Sequence, residues 1–197
     1  MNRRTLVASI AAFFLSAAAF AQTSTWQIDP AHSSAQFAVK HMMVSTVRGT
    51  FNKVSGSAQF DPAKPAATQL DATIDVSTVN TGNDSRDKDL RSPNFFDVEK
   101  FPSMTFKAKR VDSSGSGKLK IVGDLTIHGV TKEVVLDVDG PTAPINDRRG
   151  QRIGASATTR INRKDFGLTW NRMLETGGAV VSDEVNITLD IELVKRT

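Results

Sequence analysis

The sequence predicts an all-β domain, an eight-stranded antiparallel β-barrel with one short helical insertion. Three observations support this fold: apolar and polar residues alternate from Trp26 to Lys195, turn-forming residues separate the alternating runs, and several runs are unusually long. Strict alternation is typical of antiparallel strands with one apolar and one solvated face. Long strands expose unpaired edges, and closing the sheet into a barrel removes those edges.

The C-terminal run shows the alternation most clearly, because five apolar residues share one face and the polar residues share the other. The apolar face consists of Val185, Ile187, Leu189, Ile191 and Leu193. Residues 117–127 and 183–195 could each extend about 30–40 Å at roughly 3.3 Å per residue. Small residues on the inferred inner faces would leave space inside a barrel: Ala35, Ala58, Ala72, Ala108, Gly123, Ala155 and Ala157.

Only one stretch, residues 84–90, is predicted to be helical. It is short and polar, Asn83 or Asp84 can cap its N-terminus, and Pro93 should end it. Turn signals rich in Gly, Pro, Asp and Ser separate the other runs at residues 61–65, 113–117, 128–129, 140–150 and 177–178. The prediction is therefore one domain whose helix is an insertion, or flap, between strands.

The N-terminus predicts export. Arg3 and Arg4 precede an uncharged, mostly apolar run over residues 5–20, and Ala19-Phe20-Ala21 provides a small-x-small cleavage pattern. This order is typical of a secretory signal peptide over residues 1–21, which leaves a domain over residues 22–197 and predicts a periplasmic location. A membrane anchor is the alternative, but the run is shorter than the roughly 18–20 apolar residues that span a bilayer. The arginine pair leaves twin-arginine export open beside the general route.

Composition excludes several classes of protein. The chain has no cysteine, so it has no disulfide, no thiol nucleophile, no Cys-based metal site and no lipid-modified cysteine. Its net charge of +4 comes from mixed charges scattered along the chain, whereas a nucleic-acid-binding protein concentrates basic residues on one face. We therefore expect no nucleic-acid partner and, once the signal peptide is removed, no transmembrane segment.

No catalytic or metal-binding motif is evident, and we expect neither a metal nor a cofactor. The chain lacks Gly-x-Ser-x-Gly, and its three histidines lack the close spacing of common metal sites. His41 shares a face with Phe37 and Val39, where it could pair with a backbone carbonyl or contact a polar ligand group. His32 lies at a turn and is expected to hydrogen-bond there.

Several motifs, in order along the chain, resemble the YceI-like family. They are Trp26-Gln27-Ile28-Asp29-Pro30-Ala31-His32-Ser33, Phe37-Ala38-Val39-Lys40-His41, Val47-Arg48-Gly49-Thr50-Phe51, residues 90–98 with residues 101–106, residues 123–132, and residues 163–168. The resemblance implies an extended lipocalin-like barrel with a helical flap. It also implies a long apolar tunnel for a polyisoprenoid chain, such as a quinone side chain or a prenyl phosphate.

Under this resemblance, the apolar residues of the inner faces are candidates for the ligand-binding wall, although ordinary core packing would give the same pattern. The candidates are Phe37, Val39, His41, Phe51, Phe60, Leu70, Ile74, Phe106, Leu119, Ile121, Leu125, Val134, Leu136, Ile187, Leu189 and Ile191. Aromatic residues outside the regular strands could form a flap over the mouth: Phe95, Phe96, Phe101, Phe166 and Trp170.

The sequence thus favours an exported, non-catalytic carrier of a long-chain isoprenoid lipid of the quinone or polyprenyl type. Two alternatives stay open at this point. One is an enzyme acting on a small hydrophobic substrate inside the barrel, and the other is a ligand-free barrel for stress protection or protein contact. A homodimer and a transient membrane contact are also compatible with the sequence.

Overall fold

A computed structural model describes residues 24–60, 64–115, 117–148, 150–175 and 178–195. The signal peptide predicted over residues 1–21 lies outside these ranges. In the described part of the chain there are twelve strands: β1 (Ser24–Ile28), β2 (Ser34–His41), β3 (Ser45–Phe51), β4 (Val54–Phe60), β5 (Gln69–Asp75), β6 (Val79–Asn80), β7 (Ser103–Gly115), β8 (Lys118–Ile127), β9 (Val130–Asp139), β10 (Ile145–Asp147), β11 (Gly150–Asn162) and β12 (Glu184–Lys195). The helix α1 (Asp84–Arg91) separates β6 from β7, and 3₁₀ turns occupy Pro65–Ala67, Val76–Thr78 and Arg163–Phe166.

The strands form a closed antiparallel barrel of eight strands, as predicted. β9, β8, β7, β5, β4, β1 and β12 are successive neighbours, and β11 closes the ring by pairing with both β9 and β12. Three strands of the barrel are interrupted: β2 continues β1, β3 continues β4, and β6 continues β5. The pairings show this, because β1 and β2 both pair with β12, β4 and β3 pair with β1 and β2, and β5 and β6 pair with β4 and β3. Closure leaves the long strands without free edges along most of their length.

The predicted long strands and the helix cap are confirmed with small changes in their bounds. β12 pairs with β11 over its whole length, from Glu184 opposite Asn162 to Lys195 opposite Gln151. At the start of α1, the Asn83 side chain accepts a hydrogen bond of 3.0 Å from the Arg86 backbone N–H. This bond satisfies one of the N–H groups that a helix start leaves without a partner.

The connections divide the barrel into two different ends. The upper end carries the β2–β3 and β8–β9 hairpins, α1, and residues 163–175 and 178–183, whereas β10, the end of β7 at Gly115 and the start of β8 at Lys118 lie at the lower end. Arg91 fixes α1 against the upper end, because its guanidinium donates to the carbonyls of Ser77 at 2.9 Å and Val79 at 2.6 Å. The helix therefore lies across the end of the barrel, in the place predicted for a flap.

An ion cluster holds the break between β1 and β2 against β11 and β12. Arg152 donates to the Asp29 carboxylate at 2.9 Å and also to the carboxylates of Glu192 and Asp147. His32 Nδ1 lies 3.1 Å from Asp29 Oδ2, so this histidine forms a hydrogen bond within its own turn, as expected. Asp29, His32 and Glu192 are close enough to ligate an ion, but the Arg152 guanidinium already supplies their positive charge.

Replacing Asp29 with Asn is expected to weaken the acid sensitivity of the fold. The hydrogen bond from Arg152, with those from His32 and the Ala31 N–H, lowers the pKa of Asp29 from 3.8 to about 2. A carboxyl group with a lowered folded-state pKa stabilises the protein above its unfolded-state pKa, and this stabilisation is lost as the pH falls from about 4 to 2. Urea unfolding across this range should therefore show a shallower loss in Asp29→Asn, by about 1 kcal/mol after solvent screening. Arg152→Met should flatten the profile similarly, and unchanged profiles in both variants would contradict this role.

Candidate functional site

An apolar cavity runs inside the barrel. Its volume is about 270 Å³, just below the roughly 300–1,000 Å³ of most ligand pockets, and its surface is almost entirely hydrocarbon. Along β12 the lining extends from Val185 to Leu193, a length of about 26 Å at roughly 3.3 Å per residue. The cavity is therefore elongated, and its lining extends along most of β12.

Except for His41, every residue predicted for the wall lines this cavity. These residues are Phe37, Val39, Phe51, Phe60, Leu70, Ile74, Phe106, Leu119, Ile121, Leu125, Val134, Leu136, Ile187, Leu189 and Ile191. The structure places them on one continuous surface, because their strands alternate in phase around the barrel. Whether they contact a ligand stays a prediction.

The exposure of the inward-facing residues shows that the barrel is hollow. In β12, Val185, Ile187, Leu189 and Ile191 point into the barrel, yet they are only half-buried. In a barrel filled by its own side chains, such residues would be packed to the density of a protein core. Their remaining accessible surface faces the cavity, which small residues help to keep open: Ala35, Ala58, Ala72, Ala155 and Ala157.

Two glycines allow phenyl rings to lie close to the barrel wall. A Cβ atom on Gly49 would lie 2.4 Å from Cζ of Phe37, and a Cβ atom on Gly123 would lie 2.5 Å from Cζ of Phe106. Real Cβ atoms do not approach a ring so closely, so any larger residue at Gly49 or Gly123 would displace these rings. The two glycines thus let Phe37 and Phe106 pack against the wall and leave the centre of the barrel free.

Aromatic residues after α1 close part of the upper end. Phe96 packs edge-on against Phe51 with ring centroids 5.6 Å apart, and Phe95 lies 5.0 Å from the ring of Trp170. Leu90, Phe95 and Phe96 all line the cavity. The helix and the turn that follows it therefore form a cover over the upper end.

The other three residues predicted for the flap do not line the cavity. Phe101 packs against the β8–β9 turn, with its ring centroid 4.4 Å from that of His128. Phe166 is only 2% exposed and belongs to the hydrophobic core, because its 3₁₀ turn folds inward beside β9. Trp170 supports the cover through Phe95 but does not reach the cavity.

His41 also differs from its predicted position on the wall. It is the last residue of β2, and the chain turns there into the β2–β3 hairpin and pairs with Val181. Alternation does place His41 on the same side as Phe37 and Val39, but the cavity lining ends with Val39 at this strand. Sequence periodicity predicts the face of the strand on which a residue lies, but it does not predict where along the strand the barrel interior ends.

Arg163 is the one charged residue in the described cavity lining, and the sequence did not single it out. The residue is 4% exposed, and its side chain donates hydrogen bonds to four backbone carbonyls, those of Leu168, Trp170, Val181 and Ser182, and to Asp183. Burial lowers the pKa of this guanidinium, which nevertheless remains protonated. Since all its donors have partners, Arg163 fastens residues 168–170 to residues 181–183 and offers no unpaired donor to the cavity.

The closed up-and-down barrel with its apolar interior defines a lipocalin-like class of β-barrel protein. A family model, the YceI-like domain, matches residues 26–193, and the chain belongs to the YceI-like family. A UPF0312 protein of Vibrio cholerae is 37% identical over 168 residues, which cover 84% of this chain and 89% of that protein. A UPF0312 protein of Staphylococcus aureus is 36% identical over 170 residues, covering 86% and 96%.

Solved structures show the same fold. BcnA of Burkholderia cenocepacia matches with a TM-score of 0.71 at 26% identity, covering 84% of this chain and 98% of that one. A YCEI protein of Campylobacter jejuni matches with a TM-score of 0.67 at 34% identity, covering 80% and 90%. A polyisoprenoid binding domain from Saccharophagus degradans has a TM-score of 0.61 at 18% identity, covering 88% and 99%, a likeness that concerns the fold alone.

No helix among the described residues is long and apolar enough to span a bilayer.

Proposed function

We propose that this chain is an exported binding protein that carries a long-chain isoprenoid lipid, of the quinone or polyprenyl type, inside its barrel. The observation that carries the proposal is the hollow, continuous hydrocarbon lining between Val185 and Leu193 and across the facing strands. Burial of one methylene group contributes about 0.8 kcal/mol, so an elongated hydrocarbon chain provides a large gross driving force. Part of that free energy offsets the motion lost on binding.

The polarity of the lining favours an isoprenoid-like chain over a compact polar ligand. The described cavity residues offer no unpaired charged group, because the N–H groups of Arg163 all donate to backbone carbonyls or to Asp183. A ligand with many hydrogen-bonding groups would lose its water without gaining partners there. A polar headgroup would therefore be placed at an end of the barrel, with the hydrocarbon tail along β12.

The same lining supports binding over catalysis. His32 and His41 both lie outside the cavity, and no carboxylate lines its described part. General acid–base chemistry needs a titratable group within hydrogen-bond reach of the reacting atoms. The arrangement instead supports a carrier that holds its ligand unchanged.

Export is part of the proposal and rests on the N-terminal sequence, residues 1–21. The absence of cysteine is compatible with an oxidising compartment, since no thiol is present to cross-link. N-terminal sequencing of the protein from cell fractions should find a periplasmic form that begins at Gln22. A form that retains residues 1–21 in the cytoplasm would contradict this part of the proposal.

Native mass spectrometry of the purified protein tests the carrier function. We expect an additional mass of lipid size that is lost on denaturation and that fragments as an isoprenoid. Preparations that stay empty, even after incubation with prenyl lipids, would favour a ligand-free role. Turnover of a small apolar substrate would favour an enzyme.

Replacing Leu189 with Asp is expected to remove most of the bound lipid. The carboxylate would enter the hydrocarbon wall between Ala35 and Ala157, the cross-strand neighbours of Leu189, where it would be costly to desolvate beside an apolar chain. Thr188→Asp is the matched control, because Thr188 is the preceding residue and points outward. The lipid-to-protein ratio should fall at least about tenfold in the Leu189 variant, which corresponds to 1.4 kcal/mol. Equal ratios in two folded variants would contradict the wall assignment.

A further inference from the structure

Large apolar side chains are exposed at the upper end of the barrel, next to the cover formed by α1 and Phe95. Met43 is 69% exposed, Val44 is 85% exposed and Met173 is 72% exposed, and Met42 is also exposed at 43%. We call these four residues the rim patch. Single exposed apolar residues are common, but a group of this size at one place marks an interaction surface.

Backbone hydrogen bonds join the two segments of the rim patch. The Met42 N–H donates to the Val180 carbonyl at 2.8 Å, and the Val180 N–H donates to the Arg172 carbonyl at 3.0 Å. Met173, next to Arg172, pairs with Ala179. These bonds and the isolated bridges of His41 with Val181 and of Met173 with Ala179 hold the β2–β3 hairpin tip beside Met173, so the four apolar residues lie in one region of the surface.

The hairpin turn places these apolar side chains at a conformational cost. Met42 and Met43, with φ values of 52° and 60°, lie at the centre of a turn that the Val44 N–H closes by donating to the His41 carbonyl at 3.0 Å, and Asn and Gly usually occupy such left-handed positions. Two methionines are poor residues for this turn, so the structure does not explain them by local folding. Backbone strain of this kind points to a functional requirement for the side chains.

Two exposed basic residues without a described ion pair lie next to the rim patch in sequence. Lys40 and Arg172 are exposed, and neither forms an ion pair with a described residue. The sequence from Ser34 to Phe60 contains no Asp or Glu, and the nearby Asp183 is engaged by Arg163 and Lys164, which leaves the exposed Glu175 as the acidic residue closest to Met173 in sequence. Apolar side chains flanked by unpaired cations match the chemistry of an anionic bilayer surface, where the methionines enter the interface and the cations meet phosphate groups.

We propose that the rim patch docks the barrel, upper end first, on an anionic lipid bilayer. The proposal rests on the proposed function, since docking would bring the covered end of the cavity to the membrane from which a lipid enters. A second copy of the chain fits less well as the occupant. A two-fold interface would use the same patch on both partners, so the positive charges of Lys40 and Arg172 on one copy would face those on the other and repel them.

Vesicle flotation tests the docking with residues 22–197, which contain the whole closed barrel. The variant Met42→Asn/Met43→Gly removes two apolar side chains and installs the residues that this turn prefers, so its thermal stability should be unchanged or higher. Ile145→Ser is the control, because Ile145 is 64% exposed at the lower end. The probes are vesicles of phosphatidylglycerol with phosphatidylcholine, and vesicles of phosphatidylcholine alone.

We expect the parent protein and the Ile145 variant to float with the anionic vesicles, and the hairpin variant to bind at least about tenfold more weakly. Lys40→Gln/Arg172→Gln should bind more weakly on anionic vesicles only, and its residual binding should depend less on salt, whereas Lys118→Gln at the lower end should behave like the parent. Equal binding by the parent and the hairpin variant would overturn the proposal. So would a parent protein that forms dimers through the patch and ignores vesicles.

These experiments distinguish failure of the carrier proposal from failure of the docking proposal. Binding of a detergent-dispersed prenyl lipid in solution reports the cavity, and the hairpin variant should retain it. Vesicle binding without any lipid in the cavity would contradict the carrier function and leave the docking surface standing.

Discussion

Filling the cavity with the double substitution Ala72→Phe/Ala155→Phe is expected to abolish binding of a long lipid. Both alanines line the cavity, on β5 and on β11, and each is only half-buried because it borders empty space. Two phenyl rings would occupy part of the 270 Å³ that the ligand needs. Native mass spectrometry should find less than about one tenth of the lipid carried by the parent, a change of at least about 1.4 kcal/mol.

The matched control for this experiment is Thr73→Phe/Thr158→Phe. These threonines lie on the same two strands and point outward, so the added rings meet solvent and should leave lipid binding unchanged. Thermal unfolding distinguishes a filled cavity from a misfolded protein. Rings that enter an empty space gain contacts with the wall, so the melting temperature of the filled variant should stay close to that of the parent. A folded cavity-filled variant that carries as much lipid as the control would contradict a binding site inside the barrel.

Replacing Arg163 with Met is expected to cause the largest loss of stability of any substitution at the upper end. The change would leave the carbonyls of Leu168, Trp170 and Ser182 without the donors that Arg163 supplies in the interior. Unsatisfied buried polar groups cost about 1–3 kcal/mol each, so a loss of about 3 kcal/mol or more is expected. For a domain of this size that loss lowers the melting temperature by roughly 6–12 °C.

Arg160→Met is the control for Arg163→Met. Arg160 lies on the outer face of β11, its side chain is 65% exposed, and its ion pair with Glu184 measures 3.3 Å. Exposed ion pairs contribute about 0–1 kcal/mol, so this variant should unfold close to the parent. If both variants lost the same small free energy, Arg163 would not be fastening the segments at the upper end.

The strands and their inner faces could be predicted because a half-buried strand has a strict period of two. In β12 the alternation alone identified Ile187, Leu189 and Ile191 as inward-facing, and the structure places all three on the cavity wall. The helix cap was also predictable, since Asn83 acts through a bond to Arg86, three residues away. Such signals are local, and the sequence contains them completely.

The parts that sequence reasoning missed depend on contacts between distant segments. The role of Arg163 was not predicted, because its partners Val181 and Ser182 lie 18 and 19 residues further along the chain. Phe166 looked like a flap residue, but its turn packs inward as part of the core. His41 lies on the predicted face of its strand but beyond the end of the cavity. The position of that end depends on how the strands close into a barrel, which no periodic pattern in the sequence encodes.

The most direct test of the account is a crystal structure of the protein after incubation with a prenyl lipid. We predict continuous density for a hydrocarbon chain along β12, in contact with Leu125 and Ile187 and enclosed by the cover at Phe96. Density for the lipid only on the outer surface, with protein side chains filling the interior, would contradict the claim that this barrel is hollow in order to hold a lipid.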